Sequence, residues 1–132
     1  MLGFESVPIN AALQFSLVRT AGGAEIRMPL QSWFGQEGGV VHGGIITAIA
    51  DTAAVYSILP DLDGSSRSMT SIDLKINFLR PARLEGEALV ATSRLIKKGR
   101  TVAVSAVEVW QGESHVATGL FTYLILDNAE TR

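Results

Sequence analysis

A single carboxylate, Asp51, interrupts an apolar segment that runs from Gly43 to Leu59. An unpaired carboxylate is costly to bury, because a low-dielectric interior does not replace its hydration. His42, Gly43 and Gly44 open this segment. The first turn of a helix has N–H groups without intrahelical partners, and glycine lets a ligand approach them closely. The residue types therefore favour an oxyanion site at the N–H groups, with Asp51 two turns further on as nucleophile or general base toward a carbonyl group.

The elements that must position these groups follow from the hydrophobic pattern. Apolar and polar residues alternate in 67–79, which is the period of a half-buried strand. Glycine turns separate other apolar segments, and Pro60 ends the segment that contains Asp51. The predicted elements are strands at 13–20 and 24–30, a helix at 43–59, and strands at 67–79, 88–97, 101–110 and 115–126. This order predicts an α+β fold in which a curved antiparallel sheet wraps around one long central helix.

The apolar surface predicted for this fold is larger than one chain can cover. The helix is apolar on nearly every side, which predicts that it is buried all round. The last strands are apolar on both faces, and one face has no predicted cover. In 101–110 the two faces carry Val102, Val104 and Ala106 against Ala103, Val107 and Val109, and in 115–126 they carry Leu120 and Leu124 against Phe121 and Ile125. One face covers the helix, and the other is left without a cover. Because an exposed apolar face marks a protein interface, we expect a homo-oligomer, with a dimer of dimers as the favoured assembly.

Composition excludes several other classes of protein. The 132 residues suit one domain spanning 1–132, and a net charge of −2 argues against a nucleic-acid binder. The absence of cysteine excludes disulfides, cysteine nucleophiles and zinc–thiolate sites, and no metal site is expected. The N-terminal residues lack the pattern of a signal peptide, and the apolar segment is too short for a membrane span. A cytoplasmic protein without a membrane partner is therefore expected.

The motif around the helix start resembles that of a known family. Gln36-x-x-Gly39-x-x-His42-Gly43-Gly44, followed by Ala50-Asp51-Thr52-Ala53, is similar to the signature of hotdog-fold acyl-CoA thioesterases. The phenylacetate-pathway (PaaI-like) group is the most similar, with the 4-hydroxybenzoyl-CoA thioesterase group related to it. The segments SIDLKINFLRPARLEGE, KKGRTVAVSAVEVWQGE and HVATGLFTYLI resemble later strands of the same family, so the resemblance covers roughly residues 10–126.

The resemblance implies hydrolysis of an acyl-CoA, with an aromatic acyl group among the candidates, to free acid and coenzyme A. Asp51 falls at the position of the base or nucleophile, and Gly43 at that of the N–H that polarises the thioester carbonyl. His42 falls at an orienting position, and Ser71 where a strand hydroxyl holds the attacking water. Gln36 stands where the PaaI-like group commonly has asparagine and the 4-hydroxybenzoyl group has glutamine.

Further residues are candidates for binding the substrate. Strand alternation places Thr70, rather than Ser71, on one face with Ile72 and Leu74, so Thr70 is the alternative strand hydroxyl. The 4-hydroxybenzoyl group has a threonine at the position of Val55, and valine cannot serve in the role of that threonine. The candidates for contacts to the substrate, including the phosphates of coenzyme A, are Gly44, Arg80, Arg83, Lys98 and Arg100. Coenzyme A is then part of the substrate, and no cofactor is expected.

Several alternatives stay open at this point. Asp51 is either catalytic or a structural carboxylate satisfied by Thr47 or by a partner chain. Trp33 and Phe34 either line an acyl pocket or belong to the core. A hotdog hydratase or dehydratase also uses a histidine and a carboxylate, and a non-catalytic acyl-CoA-binding protein would keep the same pocket.

Overall fold

A computed structural model describes residues 3–59 and 67–127. In this part of the chain, one long helix packs against a six-stranded antiparallel sheet. The helices are α1 (Pro8–Ala12) and α2 (Gly43–Ile58), with single 3₁₀ turns at Phe4–Ser6, Ser32–Phe34 and Glu37–Gly39. The strands are β1 (Ser16–Thr20), β2 (Gly23–Met28), β3 (Arg67–Phe78), β4 (Leu89–Lys98), β5 (Val102–Gln111) and β6 (Ser114–Asp127).

The sheet has the strand order β1-β2-β4-β5-β6-β3, with every neighbouring pair antiparallel. β1 and β3 are therefore its edges. Helix α2 packs mainly against β2, β4 and β5. This arrangement confirms the predicted α+β fold with a curved sheet around one central helix. The predicted helix stop at Pro60 and the loop after it lie outside the described residues.

The N-terminal segment differs from the prediction. The strand expected at 13–20 begins only at Ser16, and residues Pro8–Ala12 form the unpredicted helix α1. Pro8 suits the first turn of a helix, because proline has no N–H to leave unpaired there. Leu13 and Phe15 are buried, so their apolar side chains contribute to the core from the turn after α1 rather than from a strand.

Helix α2 is not buried all round within one chain, contrary to the prediction. Its fully buried side packs on the inner face of the sheet, which includes Val107, Val109 and Phe121. The opposite side is only half-buried, and it forms a stripe with helical spacing. The stripe comprises Thr47, Ala48, Asp51, Thr52 and Val55. A single chain thus leaves the side of α2 that carries Asp51 partly open.

A β-bulge in β3 corrects the expected alternation. Ser71 pairs with Tyr123, but the next pair along is Asp73 with Thr122, so Ile72 is an extra residue. Such a residue shifts the inward and outward alternation by one position. Ser71 therefore lies on the helix-facing side of the sheet together with Leu74, while Thr70 lies on the outer side. The expectation that Thr70, rather than Ser71, shares a face with Leu74 rested on strict alternation and is wrong.

The edge strand β3 exposes large apolar side chains. Ile72 is 52% exposed, Leu74 42% and Phe78 52%, and Leu79 follows directly at 45%. The outer face of the sheet carries scattered exposed apolar groups as well, such as Leu120 at 51%. A row of exposed apolar side chains thus lies on an unpaired edge strand, a site where strands of two chains commonly pair.

Candidate active site

His42 fixes the start of helix α2. Its Nδ1 accepts a hydrogen bond of 2.8 Å from the Gly44 N–H, which makes His42 the N-cap residue. Its backbone carbonyl accepts from the N–H groups of Ile45 and Ile46. Because Nδ1 is an acceptor here, the ring proton of neutral His42 lies on Nε2. This geometry agrees with the orienting position that the resemblance implies for His42.

Gly43 holds the one N–H of the first helical turn that the described residues leave without an acceptor. The N–H of Gly44 is occupied by His42, which corrects the expectation that Gly44 contacts the substrate through its backbone. A Cβ at Gly44 would lie 3.0 Å from His42 Nδ1, so glycine there makes room for the imidazole. The free N–H of Gly43, at the positive end of the helix dipole, is therefore the candidate oxyanion donor.

Gln36 lies beside Gly43. Both residues line a cavity of ≈ 370 Å³ together with Phe78, Arg80 and Ala82. The loop between them turns through Gly38 and Gly39, whose φ angles of 80° and 72° favour glycine. Gln36 N–H donates to the Val40 carbonyl across this turn. We call this pocket the glycine cavity, and it brings the predicted Gln36 and Gly43 together.

Asp51 is held by a residue that the sequence interpretation missed. The Tyr123 hydroxyl donates a hydrogen bond to Asp51 Oδ1 and lies 3.2 Å from the Asp51 backbone oxygen. Burial raises the pKa of Tyr123 above its ordinary value, and the hydrogen bond and charge of Asp51 raise it further. Tyr123 therefore stays protonated and acts as a donor. Thr47 donates to the Gly43 carbonyl instead, so the alternative that Thr47 satisfies Asp51 is wrong.

A sequence signal for Tyr123 exists in β6. Phe121, Tyr123 and Ile125 alternate on the buried face, and Tyr123 alone among them carries a hydroxyl. A buried tyrosine hydroxyl usually has a hydrogen-bond partner. Ser71 is the cross-strand neighbour of Tyr123. The bulge thus places the predicted strand hydroxyl on the same face as the Tyr123–Asp51 pair.

A second and larger cavity opens beside Asp51. Its volume is ≈ 470 Å³, and we call it the aspartate cavity. It is lined by Val7, Ile9, Asn10, Asp51, Thr52, Val55, Tyr56, Leu59, Ser68 and Met69. Neither aromatic residue considered for an acyl pocket lines it: Phe34 is buried in the core and Trp33 is exposed. The glycine cavity and the aspartate cavity are separate within one chain.

The four candidate phosphate-binding cations fall into two groups. Arg80 lines the glycine cavity, and Arg83 Nη1 donates to the Gly38 carbonyl nearby. Lys98 and Arg100 flank the turn between β4 and β5. The ten-residue β4 separates this turn from the Arg83 end of the sheet, a span of about 30 Å. One chain alone does not bring the four cations together.

Two features are absent from residues 3–59 and 67–127. No three histidine, aspartate or glutamate side chains come together in a group that could hold a metal ion. No helix is both long and apolar enough to cross a membrane.

The comparisons with known proteins agree on one family. The model of the thioesterase superfamily matches residues 38–118. The medium/long-chain acyl-CoA thioesterase YigI of Escherichia coli K12 is 35% identical over a 99-residue alignment that covers 65% of this chain and 63% of YigI. The chain thus spans less than two thirds of the length of such curated relatives.

Solved structures show the same fold. A phenylacetic acid degradation-related protein of Ralstonia eutropha JMP134 is 27% identical, with a TM-score of 0.81 and 89% of each chain covered. A thioesterase of Haemophilus influenzae gives a TM-score of 0.84 at 20% identity, covering 97% of this chain and 93% of its own, and supports the fold alone.

Proposed function

Because the chain belongs to the thioesterase superfamily, we propose that it hydrolyses acyl-CoA thioesters to a free acid and coenzyme A. The observation that carries this proposal is the placement of two groups on helix α2. The N–H of Gly43, without an acceptor among the described residues, lies at its start, and the Asp51 carboxylate, held by a buried tyrosine, lines a largely apolar cavity. An N–H donor for the carbonyl oxygen and a carboxylate for the carbonyl carbon are the groups that thioester hydrolysis needs.

The two groups act on one substrate only if they come from two copies of the chain. An oxyanion donor lies about 3 Å from the carbonyl oxygen, and the attacking atom about 3–3.5 Å from the carbon. Donor and attacker are therefore within about 8 Å of each other. Gly43 and Asp51 are eight residues apart on α2, which is about 12 Å along the axis. The Asp51 carboxylate accordingly works with the Gly43 N–H of a partner chain.

Edge strand β3 supplies the geometry for such a pair. Two copies of β3 that pair antiparallel about a two-fold axis place the start of one strand beside the end of the other. The start of β3, at Ser68 and Met69, lines the aspartate cavity, whereas its end, at Phe78, lines the glycine cavity. The pairing joins unlike cavities from the two chains and covers exposed Leu74 and Phe78. A second dimer would then pack on the outer face near Leu120.

The proposed reaction uses the chain's own groups. The partner's Gly43 N–H binds the thioester carbonyl oxygen and stabilises the negative charge that develops there. Asp51 either attacks the carbonyl carbon itself or takes a proton from a water that attacks it. The C–S bond breaks, and coenzyme A leaves as a thiolate that gains a proton. Direct attack leaves a mixed anhydride between the acyl group and Asp51, which water then hydrolyses; in either route the free acid is released and the Asp51 carboxylate is restored. Tyr123 holds Oδ1, which leaves Oδ2 for the substrate or water, and Ser71 lies on the same face.

The hydratase and non-catalytic alternatives are left to experiment. His42 Nδ1 accepts from the Gly44 N–H, which leaves Nε2 as the ring nitrogen that could exchange a proton, so an enoyl-CoA assayed beside a saturated thioester separates a hydratase from a thioesterase. The functional test is release of free thiol from a panel of straight-chain and aromatic acyl-CoAs. Turnover of any of them supports a thioesterase. Tight binding of coenzyme A thioesters without thiol release would instead support a binding protein. No cofactor is required in this proposal.

Removal of the Tyr123 hydroxyl is expected to slow the reaction without weakening substrate binding. Tyr123→Phe keeps the ring and loses the hydrogen bond to the Asp51 carboxylate, so kcat should fall about tenfold, as expected for a bond to a charged group. KM should change little. In an Asp51→Asn background the same substitution should cost nothing further in kcat. Ser57→Ala, which removes another buried hydroxyl, is the matched control and should leave kcat unchanged. If Tyr123→Phe lowers kcat by the same factor in the wild-type and the Asp51→Asn backgrounds, Tyr123 has a structural role only.

The cations at both ends of the sheet are expected to serve one shared site. Arg80→Gln with Arg83→Gln, and separately Lys98→Gln with Arg100→Gln, should each raise KM for acyl-CoA about fivefold, since each pair loses exposed charge contacts to phosphate. An N-acetylcysteamine thioester of the same acid lacks those phosphates and is the control substrate. Steady-state kinetics on both substrates measure the effect. An unchanged KM for acyl-CoA would place these residues on the solvated surface only.

A further inference from the structure

We infer that the aspartate cavity holds a straight, saturated acyl chain of medium length, and that Val55 controls how long that chain is. The inference rests on the proposed thioesterase function and specifies its substrate class. The acyl chain must leave the carbonyl group beside Asp51, and Asp51 is one of the residues that line the aspartate cavity.

The cavity runs along one side of helix α2. Asp51, Thr52, Val55, Tyr56 and Leu59 line it, a spacing that keeps these residues on one side of the helix. From Asp51 to Leu59 the helix advances by eight residues, or about 12 Å along its axis. Residues of α1 and the start of β3 form the facing wall. The cavity therefore follows about two turns of α2, from Asp51 to Leu59, and we call it a channel in this sense.

The walls of this channel suit an aliphatic chain. Val7, Ile9, Val55, Leu59 and Met69 contribute branched or flexible apolar side chains. Two of the polar side chains, Thr52 and Asn10, are engaged with the protein. Thr52 Oγ1 donates to the Ala48 carbonyl, and buried Asn10 Nδ2 donates to the Phe4 carbonyl at 3.0 Å and to the Tyr56 hydroxyl at 3.3 Å. The Asn10–Tyr56 contact also ties α1 to α2, which fixes the width of the channel.

The length of the channel sets the expected chain length. Carbon–carbon bonds of about 1.5 Å advance an extended chain by about 1.3 Å per carbon. A channel of about 12 Å thus accommodates an extended acyl chain of about nine carbons. Each methylene that becomes buried is expected to raise kcat/KM about fourfold until the channel is full. A phenylacetyl group is shorter and fills only part of it.

Val55 lies one turn beyond Asp51 and is half-buried in the channel wall. Val55→Trp should close the channel past the first few carbons. The loss in kcat/KM should then grow with chain length and be on the order of 100-fold larger for decanoyl-CoA than for butyryl-CoA. Val55→Leu, a smaller change that guards against misfolding, should move the plateau of the series to a shorter chain. Val18→Trp makes the same substitution at an exposed valine of β1 and should follow the wild type.

The experiment measures kcat/KM for straight-chain acyl-CoAs from four to fourteen carbons and for phenylacetyl-CoA, with thermal unfolding of each variant. We expect the wild type to improve with length up to about nine or ten carbons and to prefer octanoyl-CoA to phenylacetyl-CoA. A wild-type series without length dependence, a preference for phenylacetyl-CoA, or an unchanged profile in both Val55 variants would overturn this inference alone. Hydrolysis of none of the thioesters would overturn the proposed function and this inference with it.

Discussion

Asp51→Asn is expected to reduce kcat by about 100-fold or more while the protein stays folded. The substitution keeps the shape of the side chain and removes the charge that acts as nucleophile or base, and the general-base contribution alone has this size. The amide oxygen of the new side chain still accepts from Tyr123, so the buried hydroxyl keeps its partner. Because an amide costs less to bury than a carboxylate, the melting temperature should hold or rise.

Asp51→Ala separates chemistry from structure. It should be as inactive as Asp51→Asn, but it leaves the Tyr123 hydroxyl with only the 3.2 Å contact to the backbone oxygen of residue 51 and should lower the melting temperature, since a hydrogen bond to a charged group is lost. Single-turnover hydrolysis and thermal unfolding measured on the same samples test both variants. If Asp51 is only structural, activity per folded molecule will survive in Asp51→Asn, and the assignment of the carboxylate fails.

The second large effect concerns a single N–H group. Gly43→Pro removes the unpaired N–H of the first helical turn, and the loss of one oxyanion donor should lower kcat by about 100- to 1,000-fold. The helix should tolerate the substitution, because Gly43 is the first helical residue, where proline is favoured. His42 already has φ −62° and ψ 138°, an extended conformation that suits a residue before proline.

Gly43→Ala is the matched control for this variant. Its Cβ would lie 3.2 Å from Phe78 Cζ, a contact that the exposed Phe78 ring can relieve, and it retains the N–H. We expect most of the activity to remain in Gly43→Ala. Circular dichroism and steady-state kinetics on both variants decide the point. Equal losses in the alanine and proline variants would show that space near Phe78 matters, and not the N–H donor.

The sequence was sufficient to predict most of the architecture, because strong local signals mark it. Alternation in β3–β6, glycine turns and the apolar run of α2 each occur within a short window, so they predict secondary structure without tertiary information. The same holds for His42, Gly43 and Gln36, which are close in sequence and meet at one helix start. Helix α1 escaped prediction because five residues carry too little periodic signal.

The remaining features depend on pairing between distant strands. The bulge at Ile72 exists only in the register of β3 against β6, so alternation within β3 alone gave the wrong face for Ser71 and Thr70. The contact of Tyr123 with Asp51 joins residues 72 positions apart. The open stripe on α2 likewise reflects which strands the helix covers. Such features form only in the assembled sheet, and they determine which groups surround Asp51 and how far its side chain is exposed.

The central claim is that Asp51 of one chain acts with the Gly43 N–H of its partner. Co-expression of Asp51→Asn and Gly43→Pro chains with different affinity tags allows purification of the mixed dimer. In a shared site, the mixed dimer has one site with both defects and one with neither, so its kcat should return to about half that of the wild-type dimer, while each parental homodimer stays nearly inactive. A mixed dimer as inactive as its parents would contradict the account, since that result means Asp51 and Gly43 of the same chain belong to one site.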